Sequence, residues 1–358
     1  MEPRDLRSEV CSNLERYPGL AEIFDPRWVD AQFRLGFEKG VHPMLDFLAA
    51  PPSFAEDVDR IFATMSHAIA LLKRQPNIGS LKSRFNRLRG NPGGSWQDNQ
   101  AAWQSSICEL YLAAWLAHLG YDVTLTKRAG ADIQVRSGGN LICQIEVHAP
   151  RRTTGLPELI NVLRWVDPPF DYDLRVRYTS DEMSLNGSEF EALLGRLTAA
   201  YRELNSGAEK MARVRFSNSS GSADIRVGPA RSGIISLSNG ATALPLLSTC
   251  FPDIIRRTND KAAKGQTDLT LPSILALEIG TYYSWASLQH LVHGPRGFLD
   301  FPTEELPKSV AALLVFHLAL TTLKPAALTL LQNTTSPWAE DESFAIVLRA
   351  LTSGSRQA

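Results

Sequence analysis

The chain reads as a mixed α/β protein (α+β in arrangement), with a helical N-terminal region ahead of an α/β core that carries a small β-rich insertion. Three observations lead there. Residues 1–95 hold short amphipathic segments punctuated by Pro26, Pro43 and the Pro51-Pro52 pair. From Trp96 a long apolar helix is followed by short strands with turn residues between them. Beyond residue 250 a helical segment feeds the apolar run SILALEI, so helix-then-strand order returns.

The boundaries follow: 1–95 as the helical region and 96–358 as the core, with the insertion at about 208–240. Within the first part, Ala55–Lys73 is the clearest helix, with Val58, Ile61, Met65, Ile69 and Leu72 at helical spacing. Next comes LLKRQPNIGSLKSRFNRLRG, which holds Lys73, Arg74, Lys82, Arg84, Arg87 and Arg89 and no acid. Such a run is either a solvated helix face or a surface turned to phosphates. GNPGGS (90–95) is a joint that lacks the Gly-Lys-Ser/Thr ending of a phosphate-cradling loop. The helix from Trp96 runs to His118 and stops at Gly120. Strands are expected at 121–126, 133–136 and 141–148, with SGGN as a tight hairpin between the last two. A strand at 172–178, an amphipathic helix at 189–204 and short antiparallel runs over 211–238 follow. Then come the helix 251–266, strands at 273–279, 310–316 and 326–331, and a polar tail.

Composition narrows the classes. Apolar residues make up 44% and charged residues 21%, the ordinary globular range. A formal net charge of −1 means that nucleic-acid binding would rest on local patches. Four cysteines far apart, with no CxxC pair, predict free thiols in a reducing compartment. The start, MEPRDLRSEV, has no apolar core of a signal peptide. The apolar run 310–323 is broken by His317 and stopped by Lys324-Pro325, too short to span a bilayer. The expectation is a cytoplasmic protein with no membrane partner, for which a homo-oligomer stays open.

The chemistry concentrates in residues 108–152, CELYLAAWLAHLGYDVTLTKRAGADIQVRSGGNLICQIEVHAPRR. In the helix, Glu109 is the only charge on a segment apolar nearly all round, where a carboxylate costs several kcal/mol unless compensated. Strand alternation puts Glu146 and His148 on one face, about 7 Å apart, and Asp132 with Gln134 on one face of the preceding strand. If the hairpin pairs these strands, Asp132 meets Glu146. Three acids converging from separate elements would make a site for a hard cation such as Mg²⁺ or Mn²⁺. Each residue also has a plainer reading: Asp132 as a turn residue, Glu146 on a solvated sheet face, Glu109 as a half-exposed helix acid, His148 as a satisfied polar end.

The order helix-Glu, strand-Asp, then Glu-x-basic resembles the restriction-endonuclease-like, or PD-(D/E)xK, nuclease superfamily. The matching pieces are CELYLAAWLAHLGYDV, GADIQV and IEVH, over roughly residues 100–150, and KAAKGQ…SILALEI looks like the helix and strand that complete such a core. The resemblance implies a mixed central sheet flanked by helices and metal-dependent hydrolysis of nucleic-acid phosphodiesters, DNA before RNA. Asp132, Glu146 and the Val147 carbonyl would hold Mg²⁺ or Mn²⁺, with Glu109 as an auxiliary ligand. His148 stands where the family has Lys, and an imidazole supplies no fixed positive charge. Lys127, Arg151, Arg152, Lys261 or Lys264 are the candidates to supply it. Arg151, Arg152, Lys82, Arg84 and Arg87 are the expected phosphate contacts, and Trp96, Trp103 and Trp165 either stack on bases or pack in the core. The His148 replacement keeps open a catalytically silent nuclease-like module that binds nucleic acid or serves in assembly. His290 and His293 lack the companions of a zinc site, and the chain has no GxSxG, GxGxxG or HExxH motif.

Overall fold

In the computed structural model the described residues are 6–35, 42–48, 55–91, 96–126, 131–149, 172–178, 185, 187–205, 211–219, 221–229, 235–239, 247–267, 269–278 and 301–353. The N-terminal amphipathic segments form α1 (Leu6–Glu15), α2 (Pro18–Ala21), α3 (Pro26–Leu35), α4 (Pro43–Leu48), α5 (Ala55–Lys73) and α6 (Leu81–Arg89). Pro26 and Pro43 each open a helix, where the missing N–H has no partner to lose. α5 and α6 pack on the long α7 (Trp96–His118). Tyr111, Leu112, Ala113, Trp115 and Leu116 of α7 are buried, as an all-round apolar pattern requires.

Chain order then gives β1 (Asp122–Leu125), β2 (Ile133–Ser137) and β3 (Asn140–His148), an antiparallel meander. Gly138 and Gly139, with φ of 58° and 83°, form the β2–β3 hairpin, as left-handed central residues do in a two-residue turn. Further on lie β4 (Tyr172–Tyr178), α8 (Gly187–Asn205), β5 (Ala212–Asn218), β6 (Gly221–Pro229), β7 (Ile235–Asn239) and α9 (Leu247–Ala263). β8 (Ser273–Glu278), β9 (Ala312–His317), β10 (Ala327–Gln332) and α10 (Glu342–Ser353) complete the described elements.

The central sheet is mixed and six-stranded, in the order β1-β2-β3-β8-β9-β10. β3, β8 and β9 run parallel, and β10 returns antiparallel to β9. Helices cover both faces. Ile274 and Ala276 of β8 belong to the cluster that includes α7, whereas Leu275 and Leu277 pack with Ile254 of α9. All six β8 residues are buried, which suits the near-continuous apolar run of a strand covered on both sides.

Two expectations are corrected. The insertion is a four-stranded sheet, β5-β6-β4-β7, that takes in residues 172–178 and pairs β4 parallel with β7. Short runs separated by polar turns suggested antiparallel neighbours only, and nothing local marked β4 as their partner. The tail is not merely polar: Phe344, Val347, Leu348 and Leu351 bury one face of α10, which packs against β10 and β3. Asp341 Oδ1 accepts the Phe344 N–H at 2.7 Å and caps that helix. No described helix is long and apolar enough to cross a membrane.

Candidate functional site

Strand register brings the carboxylates together. Ile133 pairs with Ile145, so antiparallel counting sets Asp132 across from Glu146. Asp132 Oδ2 accepts the Val147 N–H at 3.0 Å. The Asp132 and Glu146 carboxyls lie within hydrogen-bonding reach of each other. Two carboxylates that close repel each other unless a proton, a metal cation or neighbouring cationic side chains offset the charge. Glu146 is 2% exposed, and its Oε2 is buried with no hydrogen-bond partner among the described residues. Burial first, and the Asp132 charge second, push the Glu146 carboxyl up from 4.5 to about 8. Burial and the charge of Glu109 likewise raise Asp132.

The face opposite is α9. Lys261 Nζ donates to Glu146 Oε1 at 2.7 Å, and Arg257, one turn earlier, has Nη1 3.5 Å from His148 Nε2. The match is geometric. Residues four apart on a helix are separated by about 6 Å along its axis, and residues two apart on a strand by about 7 Å. One helix edge therefore sets two cations over Glu146 and His148 of β3. Lys261 was among the candidate cations for the position where His148 stands. Arg257 was not, although its i,i+4 spacing to Lys261 carried the signal.

Glu109 lies elsewhere in the network. Arg84 Nε donates to Glu109 Oε2 at 2.6 Å, and Arg87 Nη1 lies 3.1 Å from Glu109 Oε1. Ser105 Oγ donates to Glu109 Oε1 at 3.0 Å. Arg84 also donates to the Thr126 carbonyl at 2.6 Å and reaches Asp132 Oδ1 at 3.4 Å, which makes it a bridge between the helix acid and the strand acid. Its guanidinium is 5% exposed. Gly79 makes this possible. At φ 71° it runs beside β1, where a Cβ would stand 2.3 Å from the Leu125 carbonyl oxygen. Ser80 then donates to that oxygen through N and Oγ, fixing the start of α6 and the direction of Arg84.

Of the expected phosphate contacts, Lys82 is exposed, Arg84 is buried in the ion-pair network and Arg87 is half-buried against Glu109 and Ser105. Arg151, Arg152, Lys127, Trp165, His290 and His293 lie outside the described residues. Trp103 is 4% exposed, against Phe24 and His42, so it is core rather than a stacking surface. Cys108 and Cys143 are buried free thiols and Cys11 is a half-buried one.

As a donor set for a hard cation, the pair offers two adjacent carboxyls and one buried oxygen without a partner. That fits a divalent ion with oxygen ligands. Among the described residues, no group of three His, Cys, Asp or Glu side chains converges on one point. Comparison with protein-family models, with curated proteins and with solved structures finds no match. The fold and site define a mixed α/β protein in which buried Glu146 and part-buried Asp132 lie side by side, facing a cationic helix edge.

Proposed function

We propose that the protein is a metal-dependent nuclease that hydrolyses DNA phosphodiester bonds, with RNA the lesser substrate, on a restriction-endonuclease-like core. One observation carries the reading: Asp132 and Glu146 sit side by side, raised together, with Glu146 Oε2 buried and without a hydrogen-bond partner among the described residues. Carboxyls raised by burial and by each other's charge are characteristic of sites that hold a ligand or move a proton. Asp132 and Glu146, with the Val147 carbonyl, would hold Mg²⁺ or Mn²⁺. When bound, such an ion lowers the pKa of water and offsets charge on the scissile phosphate.

The chain's own groups supply the rest. Lys261 keeps Glu146 oriented through Oε1 and provides the fixed positive charge that His148 lacks. The Val147 N–H and Arg84 orient Asp132 from both oxygens. Arg257 beside His148 adds a second cation on the phosphate side of β3.

The second reading is a nuclease-like module without activity, and Arg84 favours it. A guanidinium at Asp132 Oδ1 and an ammonium at Glu146 Oε1 already give each acid a counter-charge. The deciding experiment incubates plasmid, linear and single-stranded DNA with Mg²⁺ or Mn²⁺ beside Asp132→Ala and Glu146→Ala. The enzyme reading expects cleavage by the wild type and a loss of at least 10²-fold in each variant. No cleavage under any condition leaves the silent module, and equal cleavage by the variants rejects Asp132 and Glu146 as the site.

A further inference from the structure

The second sheet has one covered face and one charged face. Ala212, Val214, Ala223 and Ile225 are buried, and α8 packs on β5 and β6 with Phe190, Leu193, Leu194 and Leu197 buried as well. Alternation therefore turns Arg213, Arg215 and Arg226 outward, and all three are exposed. The register aligns them in rows. Arg213 pairs with Arg226 and Arg215 with Asp224, while Arg175 and Arg177 of β4 hold the positions across from Arg226 and Asp224.

Three described arginines, Arg213, Arg215 and Arg226, thus meet the single acid Asp224 on two adjacent cross-strand rows whose register also includes positions 175 and 177, in a chain with 37 basic and 38 acidic residues. A merely solvated face would interleave the signs. Asp224 is bound by Arg213, with Nε to Oδ1 at 2.7 Å. That hydrogen bond first, then the charges of Arg226 and Arg215, hold its carboxyl below the ordinary range. The rows are spaced about 7 Å along the strands and about 5 Å between them. Guanidinium forks match phosphate oxygens in pairs, which ammonium groups do not.

We propose that this outer face of the four-stranded sheet is a contact surface for the phosphodiester backbone of duplex DNA. The choice of polyanion rests on the function proposed above; the surface itself does not depend on catalysis. It lies apart from the basic helix segment, where Arg84 and Arg87 are already engaged with Glu109, and it offers the local patch that a net charge of −1 requires.

The test is fluorescence anisotropy of a labelled duplex in EDTA, where no hydrolysis occurs, across a series of salt concentrations. The full chain is compared with Arg215→Ala/Arg226→Ala and with Arg196→Ala/Arg202→Ala, an equal charge change on exposed positions of α8. Far-UV circular dichroism checks that both variants are folded. The sheet variant should weaken binding by about tenfold or more and flatten the slope of log K against log salt by about 2, at about 0.9 per lost phosphate contact. The α8 variant should leave the slope unchanged, and Arg215→Lys/Arg226→Lys should restore most of it. Equal effects of the two alanine pairs, no effect of either, or binding to anionic phospholipid vesicles without binding to duplex would overturn the proposal. An unchanged slope in the sheet variant with cleavage lost in Asp132→Ala would mean that the surface alone fails, and full cleavage by Asp132→Ala with the slope effect present would mean that the active-site reading alone fails.

Discussion

Glu146 couples the site to pH. Its folded-state value of about 8 lies above the ordinary 4.5, so the native protein holds a proton there that the unfolded chain has lost. The stability this group contributes is full below about 4.5 and is lost as pH rises through about 8. The melting temperature in EDTA should therefore fall over that window, and Glu146→Gln should flatten the fall. His42 acts in the opposite sense. Its ring is buried between a bond to the Leu88 carbonyl and the Met44 N–H, and burial lowers it from 6.5 to about 4. Its contribution is present above 6.5 and lost as pH falls through about 4, so acid should loosen the N-terminal helices first, as hydrogen exchange would register. Arg84 is the costliest residue to lose. Arg84→Ala leaves Glu109, 1% exposed, without its nearest cation, and denaturant unfolding should report a loss of about 3–5 kcal/mol. Most of the Asp132–Glu146 pairing was legible in the sequence, because a period of two and a short hairpin decide it. The engagement of Glu109 was not, because a basic run looks the same in sequence whether it faces solvent or a buried acid.

At the scale of elements, α6 and α9 turn a hairpin into a site. α6 depends on the turn before it. Gly79→Ala places a Cβ against the Leu125 carbonyl in a left-handed conformation, so it should destabilise the protein by about 1–3 kcal/mol and loosen Arg84 as well. α9 contributes through Lys261. Lys261→Ala should slow cleavage by about 10²–10³-fold while far-UV circular dichroism is unchanged, and Lys261→Arg should recover part of the rate. The long helices and apolar strands declared themselves by periodicity. α10 was hidden because its apolar positions follow a polar stretch rich in Ser, Thr, Asp and Glu; β4 was expected as a strand, but its place in the second sheet was hidden because its partners arrive roughly fifty residues later.

Across the whole molecule, the antiparallel meander β1–β3 and the parallel strands β8 and β9 join at β3, the strand that carries Glu146 and His148. Helices from both ends of the chain converge there: α6 and α7 from one side and α9 from the other. The mixed sheet flanked by helices agrees with the α/β expectation, and α9 places Lys261 and Arg257 beside Glu146 and His148. Under the proposed function Asp132 and Glu146 share one divalent ion. Calorimetric titration of the metal-free protein with Mn²⁺ tests it, since an ion that displaces the shared proton must release it to the buffer. A shared ion should give one site, tighter at pH 8.5 than at pH 6.5 as Glu146 passes about 8, and lost in both Asp132→Ala and Glu146→Gln. Absence of binding by the wild type, or binding that both variants retain, would contradict it.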